Sequence, residues 1–408
     1  MRRLHGIALL LSITLLSSCS PTSQVQATPA AGAGKPGVAS KKILPVPGSD
    51  PNLALLARKF STSDRTPISI VQLGDSHTAA DLFSGEMRRL LQAQYGDGGI
   101  GFIAATPVPG TRYERVILNV AKRQWSLVSA RNQQSTQFPL GGYLSLPQTP
   151  GAKVQIRERE PSRQQYRVSA LYQATTNSTL KAQSNLTQAT RMLAATGGQW
   201  RFSPPFNNLS MPMELSVANN TGLALGGWNI LGQKSAGVIY SSLGINGARL
   251  DVVDKWQPGW ADALKALRPD MVILAYGTNE AFDDDLELDK YRAQLQDKIT
   301  LLRKTLPKAV ILLVGPPDSI KRRGAGSCAA AQPQPLRQLV RIQKDLAQRN
   351  RTLFWDWQAF MGGPCSISQW QSNELARNDL VHLTADGYRK SADGLYRFLR
   401  EQLGQPVP

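Results

Sequence analysis

The chain has 408 residues, and its 47 Lys and Arg against 29 Asp and Glu give a net charge of +18. The excess of positive charge indicates an anionic partner such as a cell-wall polymer or a membrane surface, unless it serves solubility alone. No nucleic-acid-binding motif is visible, so we expect no nucleic acid partner. Beyond the N-terminal segment, no run of about 18 apolar residues predicts a membrane-spanning helix.

Residues 1–18 have the pattern of an export signal. Two arginines precede an apolar segment, Ile7–Leu16, which is too short to span a bilayer. The sequence Leu-Ser-Ser-Cys that ends at Cys19 resembles the lipobox of bacterial lipoproteins, which implies a lipid on Cys19. An ordinary secretory signal is the alternative. Ser20 follows, and in Gram-negative lipoproteins a residue other than Asp there implies the outer membrane. We therefore expect an exported lipoprotein on the periplasmic face of the envelope, with lipid as its only membrane anchor.

Residues 19–48 are mostly Ser, Thr, Ala, Gly, Pro and Gln. Such a segment buries too little apolar surface to offset the entropy lost on ordering. We interpret it as a flexible tether between the anchor and the folded part of the chain.

The folded part begins with alternating helix and strand patterns. A short helix is predicted over 52–60, and the β-branched, apolar segment 68–73 predicts a buried strand. The sequence Gly-Asp-Ser-His at 74–77 follows at once, and 79–95 then reads as a helix. A serine in a tight turn between strand and helix is exposed at the carboxyl end of the strand, where α/β sheets bind ligands.

The region 105–235 has a different sequence pattern. Its β-prone segments are short and are separated by Gly, Pro, Asn and Ser, which is typical of a β-sandwich. Only the stretch 186–195 is ambiguous between helix and strand. The β-prone segments lie at 115–120, 125–128, 143–146, 154–157, 166–172 and 214–217.

Strands and helices alternate again from residue 236, which predicts a doubly wound, parallel α/β sheet. Strands are predicted at 238–243, 271–276, 309–314 and 352–355, and helices at 256–267, 288–306, 336–348 and from a cap at Thr384 to 399. The predicted organisation is therefore one α/β domain, 49–104 and 236–408, interrupted by an inserted β-rich domain, 105–235.

Four short motifs occupy the ends of these predicted elements. Because the carboxyl ends of parallel strands meet at one edge of a sheet, we expect the motifs to share one crevice. They are Gly-Asp-Ser at 74–76, Gly-Ile-Asn-Gly at 244–247, Gly-Thr-Asn-Glu at 277–280 and Asp-Leu-Val-His at 379–382.

The three histidines of the chain narrow the choice of a catalytic base. His5 lies in the signal segment and His77 is adjacent to Ser76, so His382 is the one remote histidine. A serine hydroxyl is a weak nucleophile that needs a base, and imidazole can take its proton and return it to a leaving alcohol. Asp379 is three residues from His382 and can turn toward the same site.

This pattern resembles the SGNH (GDSL-type) hydrolase family. The resemblance covers 49–104 and 236–408 and implies that Ser76 is the nucleophile, His382 the base and Asp379 its orienter. It further implies an oxyanion hole from the backbone N–H groups of Ser76 and Gly247 and the side-chain amide of Asn279. No cofactor is implied, and no set of metal ligands is visible.

Three neighbouring residues have secondary interpretations. Gly244 is a rival to Gly247 for the oxyanion hole. Asp75 is interpreted as a structural acceptor in the turn. His77 is interpreted as a supporting residue, since an adjacent side chain cannot easily reach the Ser76 oxygen in line.

A narrower resemblance is to the bacterial peptidoglycan O-acetylesterases, carried by 72–81, by 275–281 and by the β-rich insertion. In that group an SGNH domain carries a module similar to a carbohydrate-binding β-sandwich. The resemblance implies removal of acetyl groups from C6 of N-acetylmuramic acid, with peptidoglycan glycan strands as partner. Trp125, Trp200 and Trp228 are candidates for stacking on sugars, or they belong to the core of the insertion.

Two other functions remain open at this point. A peptidoglycan O-acetyltransferase can use the same triad, since the two reactions differ only in whether water or a sugar meets the acyl-enzyme. A cell-wall-binding lipoprotein without activity is the third alternative, although it would have no need to keep Ser76, Asn279, Asp379 and His382 together.

The two cysteines beyond Cys19 are Cys328 and Cys365. An even pair in an oxidising compartment favours a disulfide. Zinc is a poor alternative, because two cysteines and so few histidines cannot complete a tetrahedral site.

Overall fold

The computed structural model describes residues 49–406 except Thr136, Arg323 and Ala325. The signal segment, Cys19 and the tether lie outside the described residues, so the predictions for them remain predictions. The helices are α1 (Leu53–Phe60), α2 (Ser76–Ala79), α3 (Phe83–Tyr95), α4 (Trp260–Ala266), α5 (Thr278–Ala281), α6 (Leu288–Thr305), α7 (Cys328–Ala331), α8 (Leu336–Asn350), α9 (Trp357–Met361), α10 (Ser366–Ser372) and α11 (Ala385–Gln402), with a 3-10 helix at Leu250–Lys255. The strands are β1 (Pro67–Gly74), β2 (Gly99–Ile103), β3 (Val116–Val120), β4 (Trp125–Ser129), β5 (Tyr143–Pro147), β6 (Lys153–Glu158), β7 (Tyr166–Ala174), β8 (Ser178–Ser184), β9 (Gln188–Leu193), β10 (Arg201–Phe202), β11 (Phe206–Leu209), β12 (Met213–Val217), β13 (Leu223–Gly232), β14 (Gly237–Gly244), β15 (Met271–Ala275), β16 (Val310–Val314) and β17 (Leu353–Trp355).

Five parallel strands in the order β14-β1-β15-β16-β17 form the central sheet. All residues of β15 and β16 are buried, as expected for strands that helices cover on both faces. Alternate side chains enter different cores. Ile311 packs in a core with residues of α6 and α8, whereas Leu312 packs in a second core with residues of α3 and α11. The predicted α/β class with a parallel sheet is therefore confirmed.

Strands β2 to β13, here called the inserted β region (99–232), form two antiparallel sheets. One has the order β10-β7-β13-β5-β4, with β11 paired to β7 and β2 paired to β13, and the other has the order β3-β6-β12-β8-β9. Both sheets contribute to one hydrophobic core, since Ile156 of β6 and Val168 of β7 belong to the same buried cluster. The likeness of this region to a carbohydrate-binding module remains a prediction.

The inserted β region departs from the expected pattern at two points. The ambiguous stretch 186–195 contains β9, which pairs with β8 at an edge of its sheet and exposes alternate residues, among them Met192. Strand β2 precedes the predicted boundary at 105, yet it pairs with β13. Trp228 is 1% exposed and its indole N–H donates to the Ala105 carbonyl, which places it in the core.

Two predicted helices are shorter than expected because the backbone breaks inside them. The helix predicted over 79–95 is divided at Asp81, which has φ of +47° and whose carboxylate accepts hydrogen bonds from Ser84 and Arg88. The helix predicted over 256–267 begins only at Trp260, after Gly259 with φ of +93°.

The last helix, α11, begins as predicted. The Thr384 hydroxyl accepts a hydrogen bond from the Gly387 N–H at the first turn. Cys328 and Cys365 are joined by a disulfide with a Cα–Cα distance of 5.9 Å. None of the helices in the described part of the chain combines the length and apolarity needed to cross a bilayer.

Candidate active site

The turn after β1 presents Ser76 at the carboxyl end of the central sheet. Asp75 caps α2 by accepting a 2.9 Å hydrogen bond from the His77 N–H, so the helix starts at Ser76 itself. A Cβ on Gly74 would lie 2.2 Å from the Thr78 hydroxyl and 2.7 Å from the Ala275 carbonyl oxygen. Glycine is therefore required for the tight passage from strand to helix.

A chain of hydrogen bonds links Ser76 to His382 and Asp379. Ser76 Oγ lies 3.0 Å from His382 Nε2, and His382 Nδ1 lies 2.8 Å from Asp379 Oδ2. Because a carboxylate only accepts, Nδ1 carries the proton and Nε2 is left to accept from the serine hydroxyl. The structure therefore brings the three predicted triad residues together, although they are 306 residues apart at the extremes.

A tight turn between α10 and α11 holds the Asp-x-x-His segment. Asp379 Oδ1 accepts the N–H groups of Val381 at 3.0 Å and His382 at 2.9 Å. Leu380 has φ of +59°, a strained conformation for a leucine, and its carbonyl accepts from the Ile320 N–H at 2.9 Å. The spacing of three residues therefore allows the Asp379 carboxylate to point toward His382.

The same hydrogen bonds set the charge of Asp379. Partial burial alone would raise the pKa of this carboxyl, but the N–H groups of Val381 and His382, together with the imidazole, outweigh burial and lower the pKa. Asp379 is therefore a carboxylate at neutral pH, which is the form able to orient an imidazole and stabilise an imidazolium.

Two further elements supply the predicted oxyanion donors. Asn279 lies in α5, and its side-chain amide donates to the Ala248 carbonyl at 2.8 Å, which leaves one N–H for the pocket. Gly247 has φ of +68° and lines the pocket, whereas its rival Gly244 ends β14 and is packed against Ala79 of α2. The geometry favours Gly247 over Gly244 as a donor.

These side chains surround one open pocket of about 370 Å³. This volume is at the lower end of the range for small-molecule sites and is sufficient for an acetyl ester on part of a sugar ring. The pocket is lined by Ser76, Arg131, Asn246, Gly247, Thr278, Asn279, Phe282, Val381 and His382. A hydroxyl with a base on one side and N–H donors on the other can perform acyl transfer.

His77 and Asp75 lie beneath the pocket and are buried. His77 Nδ1 is 2.9 Å from the Tyr388 hydroxyl, and the His77 ring lies 5.4 Å from the His382 ring. Burial lowers the pKa of His77 to about 3, so this imidazole is neutral at neutral pH. Burial raises the pKa of Asp75 to about 6, against hydrogen bonds from His77 and Thr278. Both residues are placed to support the site from behind.

Two residues that line the pocket, Arg131 and Phe282, lie outside the four sequence motifs. Arg131 comes from the inserted β region, and Phe282 follows α5. Glu280 is buried beside Asn279, and its carboxylate accepts the Leu250 N–H at 2.7 Å. Glu280 belongs to the motif at 277–280, whereas Arg131 lies in no motif and is found only through the tertiary structure.

Family models match two parts of the chain. Residues 98–214 match the N-terminal domain of peptidoglycan O-acetylesterase, and residues 216–390 match the GDSL-like lipase/acylhydrolase family. No curated protein matches the chain in sequence.

Solved structures resemble all or part of the fold. A peptidoglycan O-acetylesterase is 30% identical, with a TM-score of 0.77, over 88% of this chain and 98% of its own. An acetylxylan esterase from Geobacillus stearothermophilus is 19% identical, with a TM-score of 0.31, over 42% of this chain and 75% of its own. A carbohydrate acetylesterase family member from Sinorhizobium meliloti is 21% identical, with a TM-score of 0.29, over 41% of this chain and 81% of its own.

The parallel sheet, the order of the motifs and the match to a peptidoglycan O-acetylesterase over 88% of this chain define a carboxylic ester hydrolase. The chain belongs to the SGNH, or GDSL-type, hydrolase family and is a peptidoglycan O-acetylesterase-like member of it. The predicted family resemblance is confirmed.

Proposed function

We propose that the protein removes O-acetyl groups from C6 of N-acetylmuramic acid in peptidoglycan through an acetyl-serine intermediate. The observation that carries the proposal is the hydrogen-bond chain from Ser76 through His382 to Asp379, with Gly247 and Asn279 on the same pocket. The substrate class is supported by the 30% identical peptidoglycan O-acetylesterase, which this chain covers over 98% of its length.

The first half of the reaction forms the acyl-enzyme. Ser76 Oγ attacks the acetyl carbonyl carbon while His382 Nε2 takes the hydroxyl proton. Negative charge develops on the carbonyl oxygen, and the N–H groups of Ser76, Gly247 and Asn279 stabilise it. The C–O bond to the sugar then breaks, and His382 returns the proton to the C6 oxygen, which leaves as a hydroxyl.

The second half releases acetate. Water gives a proton to His382 Nε2 and attacks the acetyl-serine carbonyl, and the Ser76 oxygen leaves and recovers the proton. Asp379 stays ionised throughout and stabilises the imidazolium in both halves.

The location we propose follows from the N-terminal sequence. Cleavage before Cys19 and lipidation of that residue would anchor the enzyme in the outer membrane, with the tether at 19–48 giving it reach toward the wall. Cleavage removes Arg2 and Arg3, and the remaining net charge of 18 − 2 = +16 favours approach to an anionic polymer. A carbohydrate-binding role for the inserted β region belongs to the same proposal.

The decisive experiment compares acetate release from O-acetylated sacculi and from sacculi whose esters were removed by base. We expect release only from the O-acetylated sacculi, with Ser76→Ala inactive and the matched control Ser61→Ala, at an exposed serine on the end of α1, as active as wild type. Acetyl transfer to glycan oligomers that exceeds hydrolysis by a wide margin would identify a transferase instead. Equal turnover by wild type and Ser76→Ala would contradict the nucleophile assignment.

A further inference from the structure

Arg131 is the one residue in the pocket lining that the inserted β region supplies. It follows β4, two residues after Ser129, and lies at the same pocket as Ser76 and His382. The inserted β region therefore contributes a side chain to the space where the ester is cleaved.

The backbone at Arg131 is held in place from both sides. The preceding Ala130 is fully buried, its N–H donates to the Gly142 carbonyl at 2.9 Å, and its carbonyl accepts from Lys255 Nζ at 2.9 Å. The Arg131 N–H contacts Ser129 Oγ at 3.3 Å. Lys255 belongs to the 3-10 helix of the α/β domain, so the loop is tied to the domain that carries the triad.

The Arg131 guanidinium lies against the main chain of Gly247. A Cβ built on Gly247 would be 2.6 Å from Arg131 Cζ and Nη2. The charge therefore sits beside a proposed oxyanion donor, at the edge of the pocket and exposed to solvent.

No carboxylate neutralises this charge within the described residues. The pocket lining contains no Asp or Glu, and Arg131 forms no ion pair in the part of the chain that the structure describes. Nearby Arg249, by contrast, is paired with Asp283 at 2.6 Å. An unpaired guanidinium on an anchored loop is available to bind an anionic oxygen group. Its planar set of N–H donors can form two parallel hydrogen bonds with a carboxylate.

We propose that Arg131 is a substrate-binding residue that recognises a carboxylate on the same sugar as the acetyl ester. The inference rests on the proposed function, because in N-acetylmuramic acid without a stem peptide the lactyl group at C3 is a free carboxylate. The inserted β region then selects acidic sugars, and glycan strands without peptides are preferred over strands in which the lactyl group is an amide.

The test uses two soluble substrates that differ only in charge. They are 6-O-acetyl-N-acetylmuramic acid and the same compound with its lactyl carboxylate converted to a methylamide. For wild type we expect kcat/KM to be about tenfold higher for the acid, mostly through KM, since a charge-assisted bidentate contact of about 1.4 kcal/mol corresponds to tenfold. Raising the salt concentration should narrow this preference.

Substitutions then assign the preference to one side chain. Arg131→Gln should bring the ratio of the two kcat/KM values to near one, and Arg131→Lys should keep part of it, because lysine retains the charge but not the planar set of donors. The matched control is Arg163→Gln, which removes the same charge from an exposed loop between β6 and β7 of the same region and should keep the wild-type ratio.

The outcomes separate the inference from the proposed function. Wild type that cleaves both sugars with equal efficiency, or Arg131→Gln with the wild-type ratio, would overturn the role of Arg131 alone. A loss of kcat shared equally by both substrates would also overturn it, since Arg131 would then act on the reacting ester. Wild type that cleaves an aryl acetate but neither sugar would overturn the proposed function and the inference together.

Discussion

Replacing Glu280 with Gln should stabilise the protein at neutral and alkaline pH. Glu280 is 2% exposed, and one carboxylate oxygen accepts the Leu250 N–H at 2.7 Å while the other has no partner among the described residues. A Gln at this position keeps an acceptor for Leu250 and removes the charge. The substitution therefore measures how much the charge of this buried carboxylate, next to the proposed oxyanion donor Asn279, changes the free energy of unfolding.

The magnitude follows from the pKa. Burial raises the pKa of Glu280 from 4.5 to about 7, and the Leu250 N–H offsets only part of this effect. Since the folded state holds the proton more tightly than the unfolded state, stability is highest below pH 4.5 and falls as pH rises through 7. The total loss is roughly 3 kcal/mol in wild type. Glu280→Gln does not undergo this loss.

Thermal unfolding at pH 5 and pH 8.5 measures the difference. The melting temperature of Glu280→Gln minus that of wild type should increase by roughly 3 °C between the two pH values. Glu401→Gln, at an exposed position on α11, is the matched control and should show no such increase. The same difference in melting temperature at both pH values would refute the reasoning.

Three further predictions concern the proposed catalytic residues and the disulfide. Ser76→Ala and His382→Ala should each lower aryl acetate turnover at least about a thousandfold, and by similar factors, because nucleophile and base act as a unit. Asn279→Ala should lower kcat about 10²–10³-fold with a smaller change in KM, because its amide acts on the developing oxyanion. Replacing both Cys328 and Cys365 with Ser should lower the free energy of unfolding by about 3–4 kcal/mol, because the disulfide closes a loop of 37 residues.

Each of these predictions has a contradicting result. A His382→Ala enzyme far more active than Ser76→Ala would mean that another group serves as base. An Asn279→Ala defect confined to KM would indicate ground-state binding instead of oxyanion stabilisation. If the Cys328→Ser, Cys365→Ser protein unfolds at the same denaturant concentration as oxidised wild type, the disulfide restricts the unfolded chain very little.

Elements whose physical signal is local agree with the prediction. The strands at 271–275 and 310–314 are buried on both faces, so they are uniformly apolar in sequence. Elements that depend on contacts with distant parts of the chain differ from the prediction. The division of the helix after Ser76 depends on Asp81, whose carboxylate also accepts the N–H of Glu114 in the inserted β region.

The sequence by itself determined the family, the alternation of the α/β domain and the residue types that chemistry requires at Ser76, Asn279, Asp379 and His382. These follow from short motifs and from apolar periodicity, which neighbouring residues alone create. Only the tertiary structure decided that a serine and an imidazole 306 residues apart lie 3.0 Å from each other, and that Arg131 reaches the same pocket. These distances depend on the order of the strands in the sheet and on how the loops pack against it. Neither can be read from a local sequence pattern.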